Sequence, residues 1–126
     1  MIRGTGIDIC EVDRIRKALE APHGLRLKQR VFTTREIAYA ERKANKYERF
    51  AARFAAKEAG MKALGTGWRR GVTWQDFEVA NLPSGKPTLV LTGRAQEIAA
   101  QLGVQNISLS MTHTAVQAMA MVILEN

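Results

Sequence analysis

Cysteine is almost absent from this chain. Cys10 is the only one in 126 residues, so an internal disulfide and a thiolate cage are both excluded, and two histidines leave too few ligands for a zinc centre. Cys10 itself reads as a small buried hydrophobe. Long apolar runs are missing as well. The longest, Ala118 to Leu124, falls far short of the roughly 20 residues that a membrane span requires. The opening MIRGTGIDIC has no extended apolar region of the signal-peptide kind, so a cytoplasmic protein with no membrane partner is expected. Aromatic residues make up 6%, and no strand is rich enough in them to stack bases. There is no internal repeat and no low-complexity tract.

What is present is an ordinary globular composition, 46% apolar and 25% charged, in a length that suits one domain over residues 1–126. Lys and Arg total 19 against 12 Asp and Glu, a formal net charge of +7. That excess favours polyanionic partners: nucleic acid, an acidic protein or a phosphorylated small molecule. Arg14, Arg16, Lys17, Arg26, Lys28 and Arg30 cluster with only Glu20 among them. Such a cluster is a solvated face or a dock for an acidic partner.

Ile2 to Ile9 reads as a glycine-containing strand with Asp8 at its end, and Val12, Ile15 and Leu19 follow at helical spacing. Pro22, His23 and Gly24 break the pattern. Thr33 and Glu36 form a capping-box signature for a helix to about Ala44. A helix carrying Glu58 comes next and ends at Gly65, a natural left-handed cap. Within it Gly60 suggests close approach of another backbone or a ligand. Strands are expected at 73–79, 88–91, 107–111 and 116–124, with PSGKP as a turn and an amphipathic helix from Ala95 to Leu102. One strand, three or four helices, two strands, a helix and two strands lack the βαβα alternation of a parallel sheet. The fold class expected is therefore α+β with a mainly antiparallel sheet packed against helices. The last strand, AMAMVIL, is apolar on both faces, which requires cover on both, from helices or from another subunit.

Chemistry enters through Glu58. Positions 47, 51, 54, 58, 61 and 65 hold Tyr, Ala, Phe, Glu, Met and Gly, one face of a helix at 4-3-4-3-4 spacing. A carboxylate in that stripe needs a cation, a metal or several donors. Lys62, at i+4, is one candidate, giving a plain intrahelical ion pair. The other reading joins Glu58 to Asp8 as two hard oxygen donors for Mg²⁺, an ion that completes its shell with water and substrate phosphate. KALGTG offers an ammonium and glycine amides to phosphate oxygens, or is simply a helix cap. His113, in MTHTAV, is a surface residue of a loop or a phosphate ligand and proton relay.

GIDICEVDRI, RFAAKEAGMKALGTG, SGKP and SLSMTHT, in this order over nearly the whole chain, resemble the holo-acyl-carrier-protein synthases, short bacterial members of the 4′-phosphopantetheinyl transferase superfamily. The resemblance implies their fold, with one domain per subunit. It implies Mg²⁺-dependent transfer of the phosphopantetheine arm from coenzyme A to a serine of acyl carrier protein, in support of fatty acid biosynthesis. By the same resemblance Asp8 and Glu58 are metal ligands, and with Lys62 they form the catalytic set. Lys62, Gly65, Ser84, Pro87, His113 and Thr114 fall in segments that bind coenzyme A, and Arg14 docks the carrier protein. Homotrimers with sites between subunits are implied too. The run before the last strand departs from the family's usual SISHT-like form, so a shift of the loop around His113 is expected. A small basic nucleic-acid-binding module is the rival reading.

Overall fold

The computed structural model describes residues 1–126. Strand β1 (Ile2–Glu11) leads directly into helix α1 (Val12–Glu20). Helices α2 (Gly24–Val31), α3 (Thr34–Glu41) and α4 (Lys46–Leu64) follow. A short 3-10 turn at Trp74–Asp76 opens strand β2 (Phe77–Asn81), which pairs with β3 (Pro87–Leu91). Helix α5 (Gly93–Gln101) then leads to β4 (Asn106–His113) and β5 (Gln117–Glu125). Both sheets are antiparallel: three strands in the order β1-β5-β4, and the separate β2-β3 pair. The α+β class with antiparallel strands is as expected, the sheet being in two pieces rather than one.

Four helices precede the second strand, the upper of the two numbers expected. Helix α3 starts at the capping box of Thr33 and Glu36, both halves of which form, but stops at Glu41, short of Ala44. The stretch expected as a strand from Thr73 is helical over Trp74–Asp76, because Asp76 reaches back to the Thr73 N–H and hydroxyl, closing a turn that extended backbone would open.

Helix α4 organises the core. Phe50, Ala51, Ala55, Ala56 and Ala59 have at most 1% of their surface exposed, and small side chains let the helix lie close on β1 and β5. A Cβ at Gly4 or Gly6 would collide with the backbone carbonyl of Ala63 or Ala59, so β1 can rest on the helix only with glycine at both positions. Gly60 differs from expectation. It is the Phe77 and Leu89 side chains that close on it, neither backbone nor ligand. Strand β5 is covered on one face alone: Ala118, Ala120, Val122 and Leu124 are buried, while Met119 and Met121 remain 39% and 43% exposed.

Candidate active site

Gly4, Gly6 and Asp8 alternate along β1 and so share the face that meets α4. Strand β1 continues to Glu11, which puts Asp8 inside it, opposite Ala120 of β5, rather than at a strand-to-helix junction. The contact made possible by the glycines brings the Asp8 side chain, 17% exposed, against the next turns of α4. There Lys62 Nζ donates to Asp8 Oδ1 at 3.0 Å and to the Ile7 carbonyl at 3.0 Å.

Lys62 is therefore engaged with the strand, and the candidate ion pair between Glu58 and Lys62 does not form. Two fixed acceptors on β1 outcompete a flexible carboxylate one turn back on the same exposed helix edge. Glu58 is left half-buried with neither hydrogen bond nor ion pair. Burial, and next the nearby Asp8 charge, raise its carboxyl above the ordinary range, while Lys62 and Arg14 act against this. The same surroundings lift the Cys10 thiol to about 11, through burial first and Asp8 second, leaving it protonated and inert. Asp8, Glu58, Lys62 and Arg14 thus converge, from β1, α4 and α1.

Two carboxylates with one ammonium between them invite a further cation. No group of three or more His, Cys, Asp or Glu side chains forms a protein-only cage anywhere in the chain. The donor set fits Mg²⁺, which accepts a few carboxylate oxygens and leaves the remaining positions to water and ligand oxygens.

The remaining residues from the sequence reading lie elsewhere. Gly65 ends α4 in the left-handed conformation, φ 77°, with its N–H bonded to the Lys62 and Met61 carbonyls, so the glycine-cap reading of KALGTG holds. Ser84 lies in the exposed β2–β3 turn, where its hydroxyl accepts from the Lys86 N–H. Thr114 closes the β4–β5 hairpin by accepting from the Val116 and Gln117 amides at 3.1 Å. His113 ends β4 and contacts Glu48 in the first turn of α4, Nδ1 to Oε1 2.9 Å. Glu48 and Glu58 are ten positions apart, roughly 15 Å along the helix axis. One chain does not bring His113 to the acid pair.

His113 and Pro87 instead line a cavity of about 200 Å³ with Tyr39, Arg49, Arg53 and Asn81. Sequence reasoning missed both arginines. Arg53 is 3% exposed, its guanidinium lies 4.0 Å from the Tyr39 ring centre, and its Nε has no partner. A buried guanidinium Nε without an acceptor marks a place for an anion. RFAAR was the available signal: two arginines four apart, one turn before the acid.

The basic cluster also resolves. Arg16 and Lys17 pair with Asp13, Arg16 also with Glu20, and Lys28 with Glu41. Arg14, Arg26 and Arg30 form no ion pair and are exposed, with Leu25 65% exposed among them.

Comparison with known proteins agrees with this geometry. Residues 4–120 match the family model described as the 4′-phosphopantetheinyl transferase superfamily. The holo-[acyl-carrier-protein] synthase of Solibacter usitatus is 66% identical over 126 residues, all of both chains. Among solved structures, the holo-[acyl-carrier-protein] synthase of Neisseria meningitidis superposes with a TM-score of 0.89 at 31% identity, covering 100% of both chains. That of Bacillus anthracis, solved in complex with CoA (3′,5′-ADP), gives 0.80 at 36% identity, covering 98% of this chain and 96% of the other.

Proposed function

The chain belongs to the 4′-phosphopantetheinyl transferase superfamily, and from that premise we infer that it acts as a holo-acyl-carrier-protein synthase. It moves the 4′-phosphopantetheine arm of coenzyme A onto a serine hydroxyl of apo-acyl carrier protein and releases adenosine 3′,5′-bisphosphate. The observation that carries this reading is the half-buried, unpartnered Glu58 beside Asp8 and Lys62, in a chain alike over its full length to synthases of this kind.

Phosphoryl transfer asks the protein mainly to position reactants and neutralise charge. Asp8 and Glu58 would hold Mg²⁺, which would supply positive charge to the pyrophosphate of coenzyme A. Lys62, 55% exposed and reaching across from α4, adds a second cation for the phosphate oxygens. The serine oxygen attacks the β-phosphorus as the bond to the α-phosphate oxygen breaks. Its proton passes to one of the two carboxylates or to water beside them. Arg49, Arg53 and His113 form the complementary anion site, suited to the nucleotide phosphates, with Pro87 and the Ser84 turn alongside. Gly65 gives the ligand room at the end of α4, and Thr114 shapes the hairpin behind His113.

Within one chain these two half-sites face different sides of α4, Arg53 lying about 140° around the helix from Glu58. Ile7 and Ile9, 56% and 52% exposed, with Met119 and Met121, form an apolar face on β1 and β5 of the sort that a second copy covers. A homotrimer joins the His113 end of one subunit to the acid pair of the next. Ile9→Asp combined with Met121→Asp is expected to give a monomer by analytical ultracentrifugation with at least tenfold less transfer, a charge in such an interface being strongly unfavourable. An active wild-type monomer would overturn the shared site.

Arg14, Arg26 and Arg30 with Leu25 suit an acidic carrier protein with an apolar contact. Arg14→Glu is expected to raise the KM for carrier protein about tenfold and that for coenzyme A less than threefold; equal rises would remove the dock from this face. The deciding experiment is mass spectrometry of apo-acyl carrier protein after incubation with the chain, coenzyme A and Mg²⁺. One phosphopantetheine arm is gained, and none with chelator. Affinity for DNA falling steeply with salt, without any gain in carrier mass, would favour the nucleic-acid module instead.

A further inference from the structure

We propose that Glu48 is a positioning residue for His113, fixing the imidazole so that its Nε2 meets a phosphate oxygen of coenzyme A in the arginine-lined cavity. The inference rests on the coenzyme A reading above. His113 Nδ1 lies 2.9 Å from Glu48 Oε1, with the side chains 25% and 23% exposed. A carboxylate only accepts, so the contact requires the proton on Nδ1. Nε2 is then the ring atom without a protein partner, and His113 borders both the arginine-lined cavity and a second one at the β4–β5 hairpin.

Glu48 itself needs explaining. A carboxylate next to a site for anions weakens binding unless it acts through another group. Arg49, its neighbour in sequence, donates to Asn45 rather than to Glu48, so Glu48 is committed to His113. The charged and titratable groups facing this cavity are Arg49 and Arg53 from α4 and Tyr39 from α3, while the β2–β3 hairpin contributes Asn81 and Gly85 without charge. Among them the imidazole is the group whose ring must be rotated correctly to be of use, and this contact is the one side-chain hydrogen bond between β4 and α4. The unpartnered Nε of Arg53 independently indicates that an anion belongs in the same space.

The test compares Glu48→Ala, Glu48→Gln and both in a His113→Ala background. Glu48→Ala is expected to raise the KM for coenzyme A about tenfold with kcat within about twofold, the effect of losing one charge-assisted hydrogen bond. Glu48→Gln keeps an acceptor oxygen and is expected to stay within about threefold of wild type. In the His113→Ala background Glu48→Ala adds less than about twofold. ¹⁵N NMR of His113 gives the protonated-Nδ1 pattern in wild type and Glu48→Gln, and loses it in Glu48→Ala. An unchanged KM in folded Glu48→Ala, additive losses in the double variant, or a wild-type tautomer with the proton on Nε2 would each overturn the proposal. If Glu48→Ala does not fold, Glu48→Gln and the wild-type spectrum still decide it. Absence of coenzyme A binding by wild type in calorimetry would instead sink the transferase reading itself.

Discussion

Glu58→Gln is expected to lower transfer at ordinary Mg²⁺ by on the order of 10²-fold while leaving the chain folded, the scale of loss when one preorganised charge is removed from a reacting centre. The expectation follows from how the carboxylate is held. Glu58 has no protein partner, so nothing in the fold depends on its charge. Its pKa is raised from 4.5 by burial and by Asp8, so the folded state binds the proton more tightly than the unfolded state. The stability from that preference is complete below the unfolded value of 4.5 and is lost as pH rises through the raised one. At neutral pH an ionised, uncompensated Glu58 is a burden on the fold. In chelator at pH 7 Glu58→Gln should melt no lower than wild type, with any advantage shrinking toward pH 4. Adding Mg²⁺ should raise the melting temperature of wild type and not of the variant, since stabilisation follows binding to the native state. Asp8→Asn is expected to lose comparable activity, because the second carboxylate charge is removed while Lys62 keeps only neutral acceptors on the strand. Wild-type rates in either variant, or equal Mg²⁺ stabilisation of Glu58→Gln, would remove the metal from this pair.

Much of this site could be read from residues alone, and the reasons differ by residue. A carboxylate interrupting an apolar helical stripe is a local anomaly, so Glu58 was visible in its own neighbourhood. Asp8 became meaningful through the resemblance, because no spacing fixes the distance between a strand and a helix fifty residues on. What joins them is Gly4 and Gly6, whose role is to let two backbones touch. A pattern of glycines in a strand does not say which helix will approach. Of the two readings of Lys62, the ion pair with Glu58 fails for the same reason: i+4 arithmetic considers one helix, whereas the winning acceptors sit on β1. Strand β5 is apolar on both faces, but the cover expected on both is found on one: Met119 and Met121 stay exposed, since helices reach the other face alone.

The direction of α4 was the subtler matter. The six-residue stripe straddles the margin of the packed face: Ala51 and Met61 are buried, while Tyr47, Phe54 and Glu58 are half-buried and Gly65 is exposed; the deeply packed face carries Phe50, Ala55, Ala56 and Ala59. That face also holds Lys57 and Arg53, 0% and 3% exposed. With alanines around them, two cations in sequence look like a solvent face. Only the packed structure reveals that the charge hidden most completely is the residue next to Glu58.

Lys57→Met is expected to be the most damaging single change to stability, about 3–5 kcal/mol, the range for removing one partner of a buried ion pair. Lys57 Nζ lies 2.7 Å from Glu36 Oε1, with both side chains fully buried, and it donates to the carbonyls of Trp74 and Phe77. Desolvation lowers its pKa, against the pull of Glu36. The Glu36 carboxylate is shared in turn: Oε1 accepts from the Thr33 N–H and Oε2 from the Val79 N–H, each at 2.8 Å. One ion pair therefore ties α3, α4, the 3-10 turn and β2 together. Methionine fills similar volume but leaves a buried carboxylate without its cation and takes a donor from the Trp74 and Phe77 carbonyls, each a cost in its own right. A fall in melting temperature of roughly 10–20 °C corresponds to that loss in a chain of this size. Combining Lys57→Met with Glu36→Gln removes the stranded charge while keeping an acceptor for Thr33, so the pair should be more stable than the sum of the single losses by about 1–3 kcal/mol. Additive losses, or a Lys57→Met melt within a few degrees of wild type, would show that the pair is not what locks the helix. Lys57 points about 100° around α4 from Glu58, so whatever Lys57→Met remains folded should keep the Mg²⁺ stabilisation of wild type, separating the residue that fixes the helix from the residue that works at its edge.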